Sequence, residues 1–214
     1  MKDIVKNTIV ITLITLISGC LLGLVYEITK QPIAVQNELA KQQAYQSVFS
    51  KAESFESFGS LEKIIDEAFL SLHTAEKVDE LVAAKDASGN LLGYVVTVTS
   101  TEGYGGDIQL TMGVQLDGTI NGISILSISE TPGLGMNADT DEFKGQYAGK
   151  NVDFFEVTKN GASSENEIDA ISGATFTSKA VTNAINAGLD VVRNVKAEPF
   201  ADLAAATWKG GEEG

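Results

Sequence analysis

Three stretches of the chain hold residue types whose spacing could support chemistry. The first is Asp169-Ala170-Ile171-Ser172-Gly173-Ala174-Thr175-Phe176-Thr177-Ser178, which crowds hydroxyl side chains and a glycine into the entry of a helix. Unpaired backbone N–H groups and the positive end of the helix dipole attract an anion there, phosphate above all. The same residues also suit plain helix capping, which needs only one hydroxyl. The second stretch is Glu130-Thr131-Pro132-Gly133-Leu134-Gly135, directly after an alternating apolar run. Proline fixes one dihedral, while the two glycines allow backbone to approach a flat ligand closely. An ordinary strand-exit loop has the same composition. The third is Gly103-Tyr104-Gly105-Gly106-Asp107. It lacks the third glycine and the following helix of a dinucleotide fingerprint, so by itself it reads as a turn.

Other chemistries find little support. There is one histidine, His73, and one cysteine, Cys20, so a zinc-type ligand cluster cannot assemble and no intrachain disulfide can form. His73 follows Phe69-Leu70-Ser71-Leu72 at a predicted helix end and reads as structural. No Ser or Cys has a base partner nearby in sequence, so nucleophilic hydrolysis is the weakest enzyme reading. A net charge of −14 repels phosphate backbones and argues against nucleic-acid binding.

The elements that must position these stretches follow from periodicity. Leu61 to Leu72 carries Ile64, Ile65, Ala68, Phe69 and Leu72 at helical spacing. Glu80 to Ala87 and Leu91 to Thr99 flank Ser88-Gly89-Asn90 and predict a hairpin. Ile108 to Leu116 and Ile120 to Ser129 flank Asp117-Gly118 and predict a second. Val152 to Thr158 is a candidate further strand. A helix is predicted from about Thr177, with Val181, Ala184, Ile185, Leu189 and Val192 on one face. The fold class is α+β: an antiparallel sheet with helices before and after it.

Upstream, Thr8 to Tyr26 contains no charged residue. As a helix these residues reach roughly 28 Å, close to the hydrocarbon thickness of a bilayer. Lys2 and Lys6 precede the span, which places the N-terminus in the cytoplasm and the main domain outside it. Ile17-Ser18-Gly19-Cys20 also resembles a lipoprotein box, which leaves lipidation of Cys20 open. Apolar residues continue through Leu21 to Val25, which favours an uncleaved anchor. The predicted organisation is a cytoplasmic start at 1–7, a transmembrane helix at 8–26, a helical stalk at 27–58, an extracytoplasmic domain at 59–207 and a tail at 208–214.

These residues resemble the FMN-binding domain that is shared by the RnfG component of the Rnf complex and the NqrC component of the sodium-translocating NADH:quinone reductase, and match RnfG more closely. The carrying motif is Ser172-Gly173-Ala174-Thr175, with Asp169 before it and Phe176-Thr177-Ser178 after it. Glu130 to Gly135 is similar to a family element that lines the flavin, and Phe143 to Lys150 resembles a further family stretch. The resemblance implies FMN joined by a phosphoester to Thr175. Ser172, Gly173, Ala174 and Thr177 would surround the phosphate, Lys179 would offset its charge, and Glu130, Thr131, Gly133 and Leu134 would lie along the cofactor. It implies neither a catalytic base nor a resident metal. It further implies an electron relay in a cell-membrane complex coupling ferredoxin oxidation and NAD⁺ reduction to ion movement. The partners implied are the other Rnf components, membrane lipid, and a flavin transferase that splits FAD with Mg²⁺. Two alternatives stay open: an NqrC-like relay of the quinone reductase, and an anchored scaffold without cofactor.

Overall fold

The computed structural model describes residues 1–58, 61, 65 and 67–197. The predicted tail at 208–214 and part of the predicted 61–72 helix lie outside them. The chain divides into two compact units, Met1–Gln42 and the residues from Gln43 onward.

The first unit is helical, formed by most of α1 (Lys2–Val48). It contains a window long and apolar enough to cross a membrane, with none of that window buried. Its apolar stretch carries threonines whose hydroxyls are absorbed by the helix itself. Thr8, Thr12 and Thr15 donate to the carbonyls of Ile4, Thr8 and Ile11 at 2.9, 2.9 and 3.1 Å.

The second unit is built on a five-stranded antiparallel sheet in the order β1 (Ser54–Ser57), β2 (Glu76–Lys85), β3 (Leu91–Ser100), β4 (Ile108–Gln115) and β5 (Ile120–Ser127). Sequential antiparallel pairing needs only short turns, and both predicted hairpins form. Asp86 carboxylate oxygen accepts from the N–H groups of Ser88 and Asn90, closing the first turn. A short helix, α2 (Glu67–Leu72), precedes β2.

One face of the sheet packs on α4 (Thr175–Ala197). Val181, Ala184, Ile185, Leu189 and Val192 of α4 join Val96, Val98, Leu110 and Met112 in the main core. Every apolar position predicted on this helix is buried. The other face is covered by the end of α1 and the chain just after it. Tyr45, Val48, Phe49 and Ala52 pack there on Val82, Ala84 and Val95. Between β5 and α4 run a 3-10 turn at Gly135–Asp139, α3 (Asp141–Gly145), and a parallel pair, β6 (Glu156–Thr158) and β7 (Glu167–Asp169).

Several boundaries differ from expectation. The stalk helix predicted over 27–58 ends at Val48, and Ser54–Ser57 is an edge strand pairing Ser54 with Lys85 and Ser57 with Val82. The helix-favouring composition of 27–58 hides a four-residue alternation in which Phe55 turns inward while its neighbours stay exposed. The compact unit therefore begins near Gln43, before the predicted boundary at 59. α4 begins at Thr175 instead of Thr177, its first turn closed by the bond from Ser178 N–H to Ala174 C=O. The strand predicted over 152–158 shrinks to Glu156–Thr158, since only those residues meet a partner, β7.

Candidate functional site

The entry of α4 is held from both sides. On the strand side, Ala170 N–H donates to Thr158 C=O at 2.8 Å. On the helix side, Ser178 is fully buried; its hydroxyl accepts from Ile171 N–H at 2.9 Å and donates to Ala174 C=O at 3.0 Å. Ala174 N–H closes a turn onto Ile171 C=O at 2.9 Å, and the first helical bond runs from Ser178 N–H to Ala174 C=O at 3.0 Å. The N–H groups of Thr175, Phe176 and Thr177 consequently have no acceptor inside the helix. Together with the dipole they form an anion-attracting end. Thr175 is the first helical residue and is half-buried, with its hydroxyl-bearing carbon on this turn.

The other two stretches converge on the same place. Glu130 is buried as the chain leaves β5, and its Oε1 accepts from Gly105 N–H at 3.2 Å. This single carboxyl group joins the loop after β3 to the loop after β5. Leu134 and Met136 donate their N–H groups to Thr131 C=O at 3.1 and 3.2 Å, curling the second loop over α4. Gly135 is required at the crossing. A Cβ there would lie 2.6 Å from Glu130 Oε2 and 2.8 Å from Thr177 Oγ1. Gly173 has a φ of +76° and would place a Cβ 3.0 Å from Leu134 Cδ2.

This convergence leaves a cleft of about 260 Å³ lined by Tyr104, Glu130, Thr131, Leu134, Gly135, Gly173, Ala174, Phe176 and Thr177. A second, of about 380 Å³, lies along the other side of the motif. Asn137, Thr140, Phe143, Gln146, Asp169 and Ser172 are among its lining residues. Gln146 fixes that edge by pairing its side-chain amide with the backbone N–H and C=O of Asp169, at 2.7 and 3.3 Å. Beneath it Phe143, Tyr147 and Phe155 stack edge-to-face, and burial pushes the Tyr147 phenol up, leaving its hydroxyl paired with Thr182 at 2.8 Å.

Of the expected site residues, Glu130, Thr131, Leu134, Gly173, Ala174 and Thr177 share the first cleft. Ser172 lines the second. Thr175 lines neither, although both its chain neighbours line the first. Gly133 is exposed in its turn at a φ of +78°, and Lys179 is exposed one turn into α4. Sequence reasoning missed Tyr104, Gly135 and Phe176 as lining residues. All three lie inside or beside segments singled out above; the signal was the segment and not the side chain.

The histidine lies away from the entry of α4. His73 Nε2 lies 2.8 Å from Asp190 Oδ2. Asp190 is fifteen residues along α4 from Thr175, about 22 Å at 1.5 Å per residue. Among the described residues no group of three His, Cys, Asp or Glu side chains could hold a metal ion. The arrangement instead suits a phosphorylated ligand with a flat apolar part: N–H donors and hydroxyls at one end, an apolar-lipped cleft beside them.

Residues 103–190 match the family model of the FMN-binding domain, and residues 1–48 match that of the RnfG N-terminal region. The chain is similar to the G component of the Na⁺-translocating ferredoxin:NAD⁺ oxidoreductase complex of Acetobacterium woodii, 34% identical over 91% of this chain and 94% of that one. It is 33% identical to the G component of the ion-translocating oxidoreductase complex of Methanosarcina acetivorans, over 89% of this chain and 95% of the relative. The G component of the proton-translocating ferredoxin:NAD⁺ oxidoreductase complex of Clostridium ljungdahlii is 35% identical, over 88% and 90%. Identity at this level along nearly the whole of both chains, with the FMN-binding match covering all three converging stretches, shows that this chain belongs to the RnfG family, the G components of ion-translocating oxidoreductase complexes.

Proposed function

We propose that this membrane-anchored chain is the electron-relay component of an Rnf-type ion-translocating ferredoxin:NAD⁺ oxidoreductase, carrying FMN esterified through its phosphate to Thr175. The observation that carries the reading is the position of Thr175. It opens α4 with helix-end N–H groups around it, between two residues of the cleft, inside the segment matched to the FMN-binding domain.

Each group has a definite part. The N–H groups of Thr175, Phe176 and Thr177 would hold the phosphate and compensate its charge. Ser172 and Thr177 supply hydroxyl partners, and Lys179 adds a positive charge one turn on. Gly173 keeps the backbone low where the nucleotide crosses it. Glu130, Thr131 and Leu134 would form the wall along which the cofactor lies, with Gly133 in the exposed turn between them. Bound flavin supplies one- and two-electron redox chemistry; the chain supplies orientation and a fixed position. Attachment through phosphate leaves the ring unaltered, and a covalent tether prevents loss of the cofactor outside the cytoplasm.

In maturation the Thr175 hydroxyl would be the acceptor for the FMN phosphoryl group of FAD, with AMP as the leaving group of the broken pyrophosphate bond and the hydroxyl proton released to solvent. A Mg²⁺-dependent flavin transferase is the proposed catalyst. Lys2 and Lys6 ahead of the span favour a cytoplasmic N-terminus in the cell membrane with the domain outside. The other components of the complex and the lipid around the span are the proposed partners.

The test is intact-mass measurement after expression with a flavin transferase. The chain should gain the mass of FMN less one water, mapped to the tryptic peptide containing Thr175, and Thr175→Ala should gain nothing. An unmodified wild-type peptide from matured protein would sink the reading.

A further inference from the structure

We infer that Tyr104 and Phe176 form an aromatic clamp for the isoalloxazine ring of the flavin, an inference that rests on the proposal above. Among the described residues of the second unit these are the two most exposed large hydrophobic side chains apart from Leu72, at 80% and 73%. Both line the same cleft. Neither exposure comes from a loose backbone. Tyr104 sits on a loop pinned on both sides: Glu102 Oε2 accepts from Asn183 Nδ2 of α4 at 2.6 Å, and Gly105 N–H donates to Glu130 at 3.2 Å. Phe176 stands on the first turn of α4, which the buried Ser178 hydroxyl ties back to Ile171 N–H. Rigid backbone presenting bare aromatic surface is what a stacking partner requires, because only the two χ angles of each ring remain to be ordered on binding.

The occupant follows from position and polarity. Phe176 is the residue after Thr175, so a group tethered there reaches it first. The cleft has apolar lips, Tyr104, Leu134 and Phe176, a floor with polar atoms from the buried Glu130 and Thr177, and the exposed Thr131 at its edge. A flat conjugated ring with hydrogen-bonding edges suits both. At about 260 Å³ the cleft is smaller than the roughly 300–1,000 Å³ that enclose whole drug-sized ligands. It takes the ring, and leaves the ribityl phosphate outside, toward Thr175. The larger cleft beside Ser172 has no exposed aromatic side chain on its rim, which makes it the poorer seat for a ring.

The test uses the full chain matured with flavin transferase, as wild type, Tyr104→Ala, Tyr104→Phe and Phe176→Leu. Flavin content is fixed by intact mass, folding by circular dichroism, and ring environment by flavin emission and its quenching by iodide. Stacking on a phenol quenches flavin emission, so native wild type should be several-fold dimmer than the same protein unfolded. Tyr104→Ala should brighten several-fold at unchanged flavin mass. Tyr104→Phe keeps the stack but loses the electron-rich phenol, and should fall between. Phe176→Leu should raise iodide access. Emission and iodide access unchanged in Tyr104→Ala and Phe176→Leu, with flavin mass in place, would overturn the clamp while leaving the attachment at Thr175 intact. Absence of flavin mass from wild type would instead overturn the reading beneath it.

Discussion

Glu130 and Gly135 are two halves of one arrangement. The buried carboxyl group ties Gly105 to the β5 exit, and the missing side chain at 135 lets that exit close over Thr177. Gly135→Ala forces a methyl group against Glu130 and Thr177, so it should destabilise the domain by about 1–3 kcal/mol. Flavin incorporation should fall with it; thermal unfolding and intact mass on the same sample check both. A second residue makes a pH prediction. Burial, with help from the negative charge of Glu102, pushes the Glu76 carboxyl above its ordinary 4.5, and Oε1 of Glu76 is buried without a partner. A raised carboxyl disfavours its charged form in the fold. Its contribution is fully present below the unfolded value and lost as pH rises through the folded one. Glu76→Gln should therefore raise the unfolding temperature by a few degrees at neutral pH, with the gain shrinking toward zero below pH 4.5. A gain of equal size in acid and at neutral pH would contradict this account.

α4 is the element on which the site depends. Its first turn carries Thr175, its middle fills the core, and its far end is fastened by His73, Asp190 and Arg193. The hydrogen bond from His73 holds the Asp190 carboxyl below its ordinary 3.8, and Arg193 adds to it. For a lowered carboxyl the stabilisation is present above the unfolded value and lost as pH falls through the folded one. Asp190 is partly solvent-exposed, so screening keeps the effect small. Asp190→Asn should cost up to about 1 kcal/mol at neutral pH, and the difference should close as pH falls below the ordinary carboxylate range. Chemical denaturation at neutral and acid pH measures it. The interior of α4 was legible because five apolar residues at three- and four-residue spacing can satisfy only one buried face. Its first turn was not. Thr175, Phe176 and Thr177 have ordinary helix propensity at best, and the start is set by the Ser178 hydroxyl reaching back to Ile171. The three-residue strand β7 was equally hidden, since parallel pairing with β6 is visible only once both are side by side.

At the scale of the molecule, the anchor and the domain are distinct units, yet the chain between them belongs to the domain from Gln43 onward. Tyr45, Val48, Phe49 and Ala52 cover the sheet face opposite α4, and Tyr45 donates to Glu80 at 2.9 Å. A fragment starting at Gln43 should fold, remain in solution and accept flavin. One starting at Glu53 strips that face and should lose roughly 4 kcal/mol or more of stability. Comparing their thermal midpoints decides the matter; equal midpoints would show the patch to be dispensable. Full-length chain should stay with membranes through carbonate extraction, while the Gln43 fragment should not.

The apolar run from Thr8 to Tyr26, the two hairpins and the buried stripe of α4 were settled by sequence alone. Each is a periodic or uninterrupted pattern read within one segment, and local spacing dictates which face must leave water. The motif around Thr175 was likewise recognisable as a string of residue types. Tertiary structure decided which pieces meet. Glu130 reaching Gly105, Gly135 clearing Thr177, Tyr104 and Phe176 lining one cleft, and residues 54–57 pairing at the sheet edge are contacts between segments distant in the chain. Such contacts follow from packing of the whole core, which no local window of the sequence contains.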